Sequence, residues 1–124
     1  MGTAFAKKFS ELEVYKKAYA ISLDVHKQSL NFPKIEQYAL ADQIRRASKS
    51  VCANIAEGFL KQRNSKSEFN RYVLIALGSS GEMEVWVNYA HDLGYINNTT
   101  AELWKSEYEV ICKMLQKLST SLKK

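Results

Sequence analysis

A single proline, five glycines, two cysteines and two histidines occur in 124 residues, and each shortage removes a class of protein. All-β folds built on tight turns consume Gly and Pro at those turns, so long helices are expected instead. Cys52 and Cys112 show no CxxC spacing and fall within apolar helical patterns, which reads as buried free thiols in a reducing compartment. His26 and His91 have Leu23 and Asn88 three residues earlier, where a ferritin-like Glu-x-x-His metal site needs Glu. GxGxxG, P-loop and HExxH motifs are all missing. No apolar run is long enough for a membrane span. The first residues form neither a secretory apolar region nor a complete myristoylation pattern. A cytoplasmic, non-enzymatic protein with no metal or cofactor is therefore expected.

An apolar content of 46% with 25% charged residues suits one ordinary globular domain. One stretch stands out: Tyr72-Val73-Leu74-Ile75-Ala76-Leu77-Gly78-Ser79-Ser80-Gly81 carries no charge. As helix it would cover about 15 Å, and an amphipathic surface helix of that length would present a charge on every turn or two. The stretch is therefore expected to be buried on all sides, within the domain or against other subunits. Leu74, Leu77, Gly78 and Gly81 are the candidate packing residues, the small ones allowing close helix approach.

Four helices can be read around it. The first runs from Ser10, with Ser10 and Glu13 as a capping box, to Ser29, and Pro33 ends it. Its apolar rows are Leu12, Tyr15, Tyr19, Leu23 and Val14, Ala18, Ile21, Val25. The second spans about Gln37 to Phe59 or Lys61, with Leu40, Ile44, Ala47, Val51, Ile55 and Phe59 as its core row. Within it Gly58 either admits another backbone or begins the helix end. Ser65 and Glu68 box the start of the third, which Gly94 closes as the C′ residue with Tyr95 at its side. Thr99 and Glu102 are read as the cap of the fourth, whose seam is Trp104, Tyr108, Ile111, Leu115, Leu118 and Leu122. Short connections make neighbours antiparallel. The expected fold is all-α: an antiparallel up-down-up-down four-helix bundle over residues 10–122, with residues 1–9 as an N-terminal extension.

The net charge of +5 is unevenly placed: residues 37–66 hold six basic and two acidic groups, residues 67–98 one basic and four acidic. Arg45, Arg46, Lys49, Lys61, Arg63 and Lys66 are the candidate phosphate-binding residues, because polyanion binding needs a continuous basic surface more than a motif. Asn54, Glu57 and Glu82 lie beside core rows. They are read as polar residues that fix helix register, with partners such as Ser79 or Arg46, rather than as acid–base catalysts. The competing reading of the basic set is a solvated face on a purely structural or protein-binding bundle.

The ordered blocks Phe9-Ser10-Glu11-Leu12-Glu13-Val14-Tyr15-Lys16-Lys17-Ala18, Gln43-Ile44-Arg45-Arg46-Ala47, Asn54-Ile55-Ala56-Glu57-Gly58, Glu68-Phe69 and Ile75-Ala76-Leu77-Gly78-Ser79 with Glu82 and Glu84 resemble the bacterial proteins encoded in intervening sequences of 23S rRNA genes, also called the S23 ribosomal protein family. Gly81 stands where that pattern often has Ser, and Cys52 where it often has Pro. The resemblance implies a four-helix bundle assembling into a homopentameric ring. A related branch implies two further partners: nucleic acid bound on a basic exterior, and the reverse transcriptase of diversity-generating retroelements.

Overall fold

The computed structural model describes residues 6–124; the first five residues of the expected N-terminal extension lie outside the described residues. A short 3-10 turn, Phe9–Glu11, leads into α1 (Glu13–Ser29), and a second, Lys34–Glu36, precedes α2 (Leu40–Lys61). Helices α3 (Lys66–Asp92) and α4 (Asn98–Leu122) complete the chain. No strand occurs among the described residues, and no helix there is long and apolar enough to cross a membrane.

Cross-helix side-chain pairs give the direction of each helix. Ser29 meets Arg45 and His26 meets Lys49, so α2 descends beside α1. Ser50 meets Ser79 at 2.9 Å, while Gly58 lies against Phe69 and Tyr72, so α3 runs opposite to α2. Asn70 accepts from Ser119 at 2.6 Å and His91 bonds Asn98, which reverses α4 against α3. Lys17 pairs with Glu107 at 3.0 Å and the Trp104 indole N–H donates to Asp24 at 2.8 Å, closing α4 onto α1. The result is the up-down-up-down bundle that the short connections predict.

The core follows the apolar rows. All six residues of the α2 row are buried, as are Val14, Ala18, Ile21 and Val25 of α1 and the α4 seam apart from half-buried Leu118. Trp104, Tyr108 and Phe69 are the bulkiest fully buried side chains, and complete burial of a large apolar side chain contributes about 1.5–3 kcal/mol. The second α1 row divides: Leu12 is buried, Tyr15 is half-buried, and Tyr19 and Leu23 face outward. Gly58 settles its own alternative: a Cβ there would stand 2.8 Å from Tyr72 Cβ and 3.1 Å from the Phe69 carbonyl oxygen. It is the close-approach position of the α2–α3 seam.

The helix ends differ from expectation in three places. Ser10 does not cap α1. It lies inside the first 3-10 turn, and buried Leu12 takes the N-cap position without a side-chain bond; seating Leu12 and packing Phe9 on Tyr15 (ring centroids 5.1 Å apart) outweighs one capping bond. Helix α2 begins at Leu40, not Gln37, because Lys34–Glu36 form a 3-10 turn and Ala39 takes a non-helical backbone (φ −125°, ψ −104°); the Gln37 side-chain amide donates to the Ser29 and Phe32 carbonyls at 3.0 and 2.9 Å. The Ser29 carbonyl, which also accepts from Phe32 N–H at 3.1 Å, closes α1, and the Phe32 carbonyl belongs to the connection that follows. Asn97, not Thr99, caps α4, its side-chain oxygen accepting from Thr100 N–H at 2.8 Å. Asn at least equals Thr in that role, and its earlier position adds residues to the helix.

Two expected ends are found. Ser65 accepts from Glu68 N–H at 3.0 Å. Gly94 takes φ +81°, with Gly94 N–H on the His91 carbonyl and Tyr95 N–H on that of Ala90, the paired bonds of a Schellman motif. Tyr95 then packs on Phe32 (5.4 Å) and donates its hydroxyl to Glu36 at 2.8 Å, tying the α3–α4 turn to the α1–α2 connection.

Candidate nucleic-acid interface

The uncharged stretch is not buried on all sides within the chain. Val73, Ala76 and Ser80 face the core, but Leu74 is 43% exposed and Gly78 and Gly81 are open. A Cβ added at either glycine meets nothing within 4 Å. Leu77 is half-buried at the edge of the core. Leu74, Gly78, Gly81 and Val85 follow one another by four, three and four residues, which lines them up on the outward side of α3. Lack of charge predicts burial here, yet within one chain half of that surface has no cover.

The six basic candidates divide into two groups. Arg45 is occupied internally: its guanidinium donates to Ser29 Oγ at 2.8 Å and to the Gln37 carbonyl at 2.9 Å, pinning the α1–α2 connection. Arg46 is exposed and pairs with Asp42 at 3.0 Å one turn away. Lys49 is exposed and donates to His26 Nδ1 at 2.9 Å. Burial, then the charges of Lys49 and Arg45, hold the His26 pKa below its ordinary value, so the ring accepts that bond as neutral imidazole. Lys61, Arg63 and Lys66 lie at the far end of α2 and in its exit loop, about 22 Å along the axis from Arg46. Lys61 reaches Glu57 at 3.7 Å and lies 6.0 Å from the Tyr72 ring centre. Arg63 and Lys66 are exposed and pair with no carboxylate among the described residues.

The bundle topology adds basic residues that no single stretch of sequence groups together. Since α1 and α3 start where α2 and α4 finish, Lys7 and Lys8 before α1 and Lys117, Lys123 and Lys124 at the close of α4 share the end that holds the α2–α3 loop. All five are exposed. Segments 6–14, 59–70 and 116–124 together hold eight basic groups against three acidic ones. That excess of five equals the net charge of the whole chain. The available signal was the parity of the connections: in an up-down-up-down bundle the chain start, the second connection and the chain end coincide.

The family model for 23S rRNA-intervening sequence protein matches residues 10–117, almost the whole bundle. The chain belongs to that family. A crystal structure of a protein with unknown function from the S23 ribosomal protein family of Bacteroides thetaiotaomicron VPI-5482 is similar, with a TM-score of 0.75 at 25% identity. The alignment covers 86% of this chain and 97% of that one. No match is found among curated proteins.

In this member of the 23S rRNA-intervening sequence protein family, the expected register residues behave unequally. Asn54 donates to the Ser50 carbonyl at 2.8 Å and to Ser50 Oγ at 3.0 Å, and Ser50 Oγ in turn meets Ser79 Oγ, so this chain of bonds does cross from α2 to α3. Glu57 and Glu82 do not cross: Glu57 pairs with Lys61, and Glu82 accepts from the Trp86 indole N–H at 3.0 Å, each within its own helix. Both thiols are free. Cys52 is buried beside Ser22, Cys112 is half-buried, and burial raises the pKa of each, which disfavours the reactive thiolate. Among the described residues no group of three or more His, Cys, Asp or Glu converges as a metal site.

Proposed function

We propose that this protein is a non-catalytic, self-associating helical bundle that binds RNA or DNA through its basic end. The observation that carries this reading is the convergence of Lys7, Lys8, Lys61, Arg63, Lys66, Lys117, Lys123 and Lys124 from three separate segments. Phosphate binding needs such an exposed cationic surface, and no base-reading motif is required for it. The family's name, which ties its members to intervening sequences of 23S rRNA, agrees with an RNA ligand.

Self-association rests on the outward face of α3, where Leu74, Gly78, Gly81 and Val85 leave an apolar strip with room for a second backbone. Five copies in a ring, the number the family resemblance implies, would repeat the basic end and raise avidity without any new interaction. Light scattering coupled to size exclusion, at low and high salt with and without a mixed RNA and DNA pool, tests both parts. The expected result is a salt-resistant oligomer that carries nucleic acid only at low salt. A monomer indifferent to nucleic acid would remove both parts of the proposal. A salt-resistant oligomer that never carries nucleic acid would leave the alternative, a structural or protein-binding bundle.

A further inference from the structure

A second feature of the molecule, away from the cluster of lysines, bears on which nucleic acid is bound. Between α1 and α2 runs an open groove of about 530 Å³. Its α1 wall is aromatic: Phe9 meets Tyr15 edge-on at 5.1 Å, and Tyr15 stacks on Tyr19 at 5.9 Å with only 16° between the rings. Tyr19 ends this series and is 49% exposed. The α2 wall is cut low by Ala53 and Ala56, so the Tyr19 ring, stacked on Tyr15, borders open groove towards α2. Lys49 lines the groove at its His26 end; beyond the other end the exposed Lys7 and Lys8 precede Phe9 in the chain, with the Glu11 carboxylate accepting from Lys7 N–H at 2.8 Å. None of the lining residues is Asp or Glu.

We infer that this groove is a track for single-stranded RNA or DNA, in which unpaired bases stack on Tyr19 and flanking phosphates are held by Lys49 at one end and Lys7 and Lys8 at the other. The inference rests on the nucleic-acid reading above and narrows it to strands with accessible bases. A groove lined by aromatic and small residues, with no carboxylate in its lining, Lys49 at one end and Lys7 and Lys8 beyond Phe9 at the other, matches a chain of flat apolar bases on an anionic backbone. From Tyr15 to His26 the groove follows about 16 Å of helix axis, room for a few nucleotides. A duplex hides its base faces, so it engages the protein through its phosphates alone.

Fluorescence anisotropy with labelled oligo(U), oligo(dT) and the matching duplexes, at one low salt concentration, tests this on the full chain. Tyr19→Ala should weaken single-strand binding roughly five- to 150-fold, the range for losing one stacked base, and leave duplex binding unchanged. Tyr19→Phe should restore it, since the ring face and not the hydroxyl carries the interaction. Ala53→Glu, at an exposed position of α2, should weaken single-strand binding by placing a carboxylate in the track. Thermal melts of each variant establish that the bundle is intact. The two single strands show whether the track distinguishes RNA from DNA. If Tyr19→Ala and Ala53→Glu leave single-strand affinity unchanged while charge reversal at Lys61, Arg63 and Lys66 abolishes it, the groove is overturned and the basic-end reading stands. If Tyr19→Ala changes the assembly mass and not the affinity, the groove is a protein contact and the inference fails. If the unmodified protein binds no strand at low salt, both readings fail together.

Discussion

The two ends of the bundle differ in how far the fold has already committed their arginines. At the end holding the α1–α2 connection, Arg45 is bound internally between Ser29 and Gln37 and Arg46 pairs with Asp42 at the surface, while Lys27 and Lys34 are exposed. At the other end Arg63, Lys66, Lys123 and Lys124 project into solvent and pair with no carboxylate among the described residues. The contrast teaches that a count of basic residues along one helix is a poor guide to a binding surface. What matters is which guanidinium and ammonium groups the fold has already committed.

Substitution at each end should separate the two roles. The largest effect is expected from Lys61→Glu, Arg63→Glu and Lys66→Glu combined. Nucleic-acid affinity at low salt should fall on the order of a hundredfold, and the salt slope should flatten by about 0.9 for each phosphate of duplex DNA that is no longer neutralised. Stability in denaturant should change little, since Arg63 and Lys66 are exposed, Lys61 is half-exposed and its one carboxylate pair is long. Unaltered affinity in a titration across salt concentrations would erase the distinction between the ends. Arg45→Met should do the reverse, costing about 2 kcal/mol of stability by removing its hydrogen bonds while leaving affinity alone. A melting curve superimposable on that of the unmodified protein would show that Arg45 pins nothing.

A smaller contrast lies along the α2–α3 pair. Gly58→Ala should destabilise the monomer by about 1–3 kcal/mol, because the methyl group must displace the Tyr72 Cβ and the Phe69 backbone. Gly81→Ala, in open space, should gain up to about 1 kcal/mol from helix propensity. A drop in assembly mass in Gly81→Ala, with the helix content kept, would mark the outward face as the subunit contact.

The smallest effect concerns Tyr108, midway along α4. Its hydroxyl is buried without a hydrogen-bonding partner among the described residues, and burial pushes its pKa far above the ordinary tyrosine value. The unfolded chain therefore loses this proton first as pH rises past about 10, so Tyr108 contributes to the loss of stability in alkali. Tyr108→Phe should be neutral or stabilising by about 1 kcal/mol near neutral pH and should lessen that alkaline loss. An unchanged pH profile in chemical denaturation would contradict the assignment.

Much of the fold is legible in the sequence because apolar spacing alone carries it. The α2 row and nearly all of the α4 seam are buried as the periodicity requires, and Ser65 and Gly94 end α3 as their chemistry predicts. Ser10 and Thr99 mislead as caps because a local motif competes with its neighbours: Leu12 has a core to enter, and Asn97 stands earlier in the turn. The candidate site is the least legible part. Lys7 and Lys124 are far apart in the chain, and only the reversal of successive helices makes them neighbours. The commitment of Arg45 is hidden for the same reason, since nothing at positions 29 and 37 announces a guanidinium site.

The antiparallel order has an electrical consequence. Each helix carries a macrodipole, but in this bundle two point each way and largely cancel along the axis. The side chains are then left to set the long-range field, and their excess positive charge lies at one end. A polyanion approaching in dilute salt would be turned to meet that end before the two touch, so the placement of the lysines should quicken encounter more than it prolongs residence.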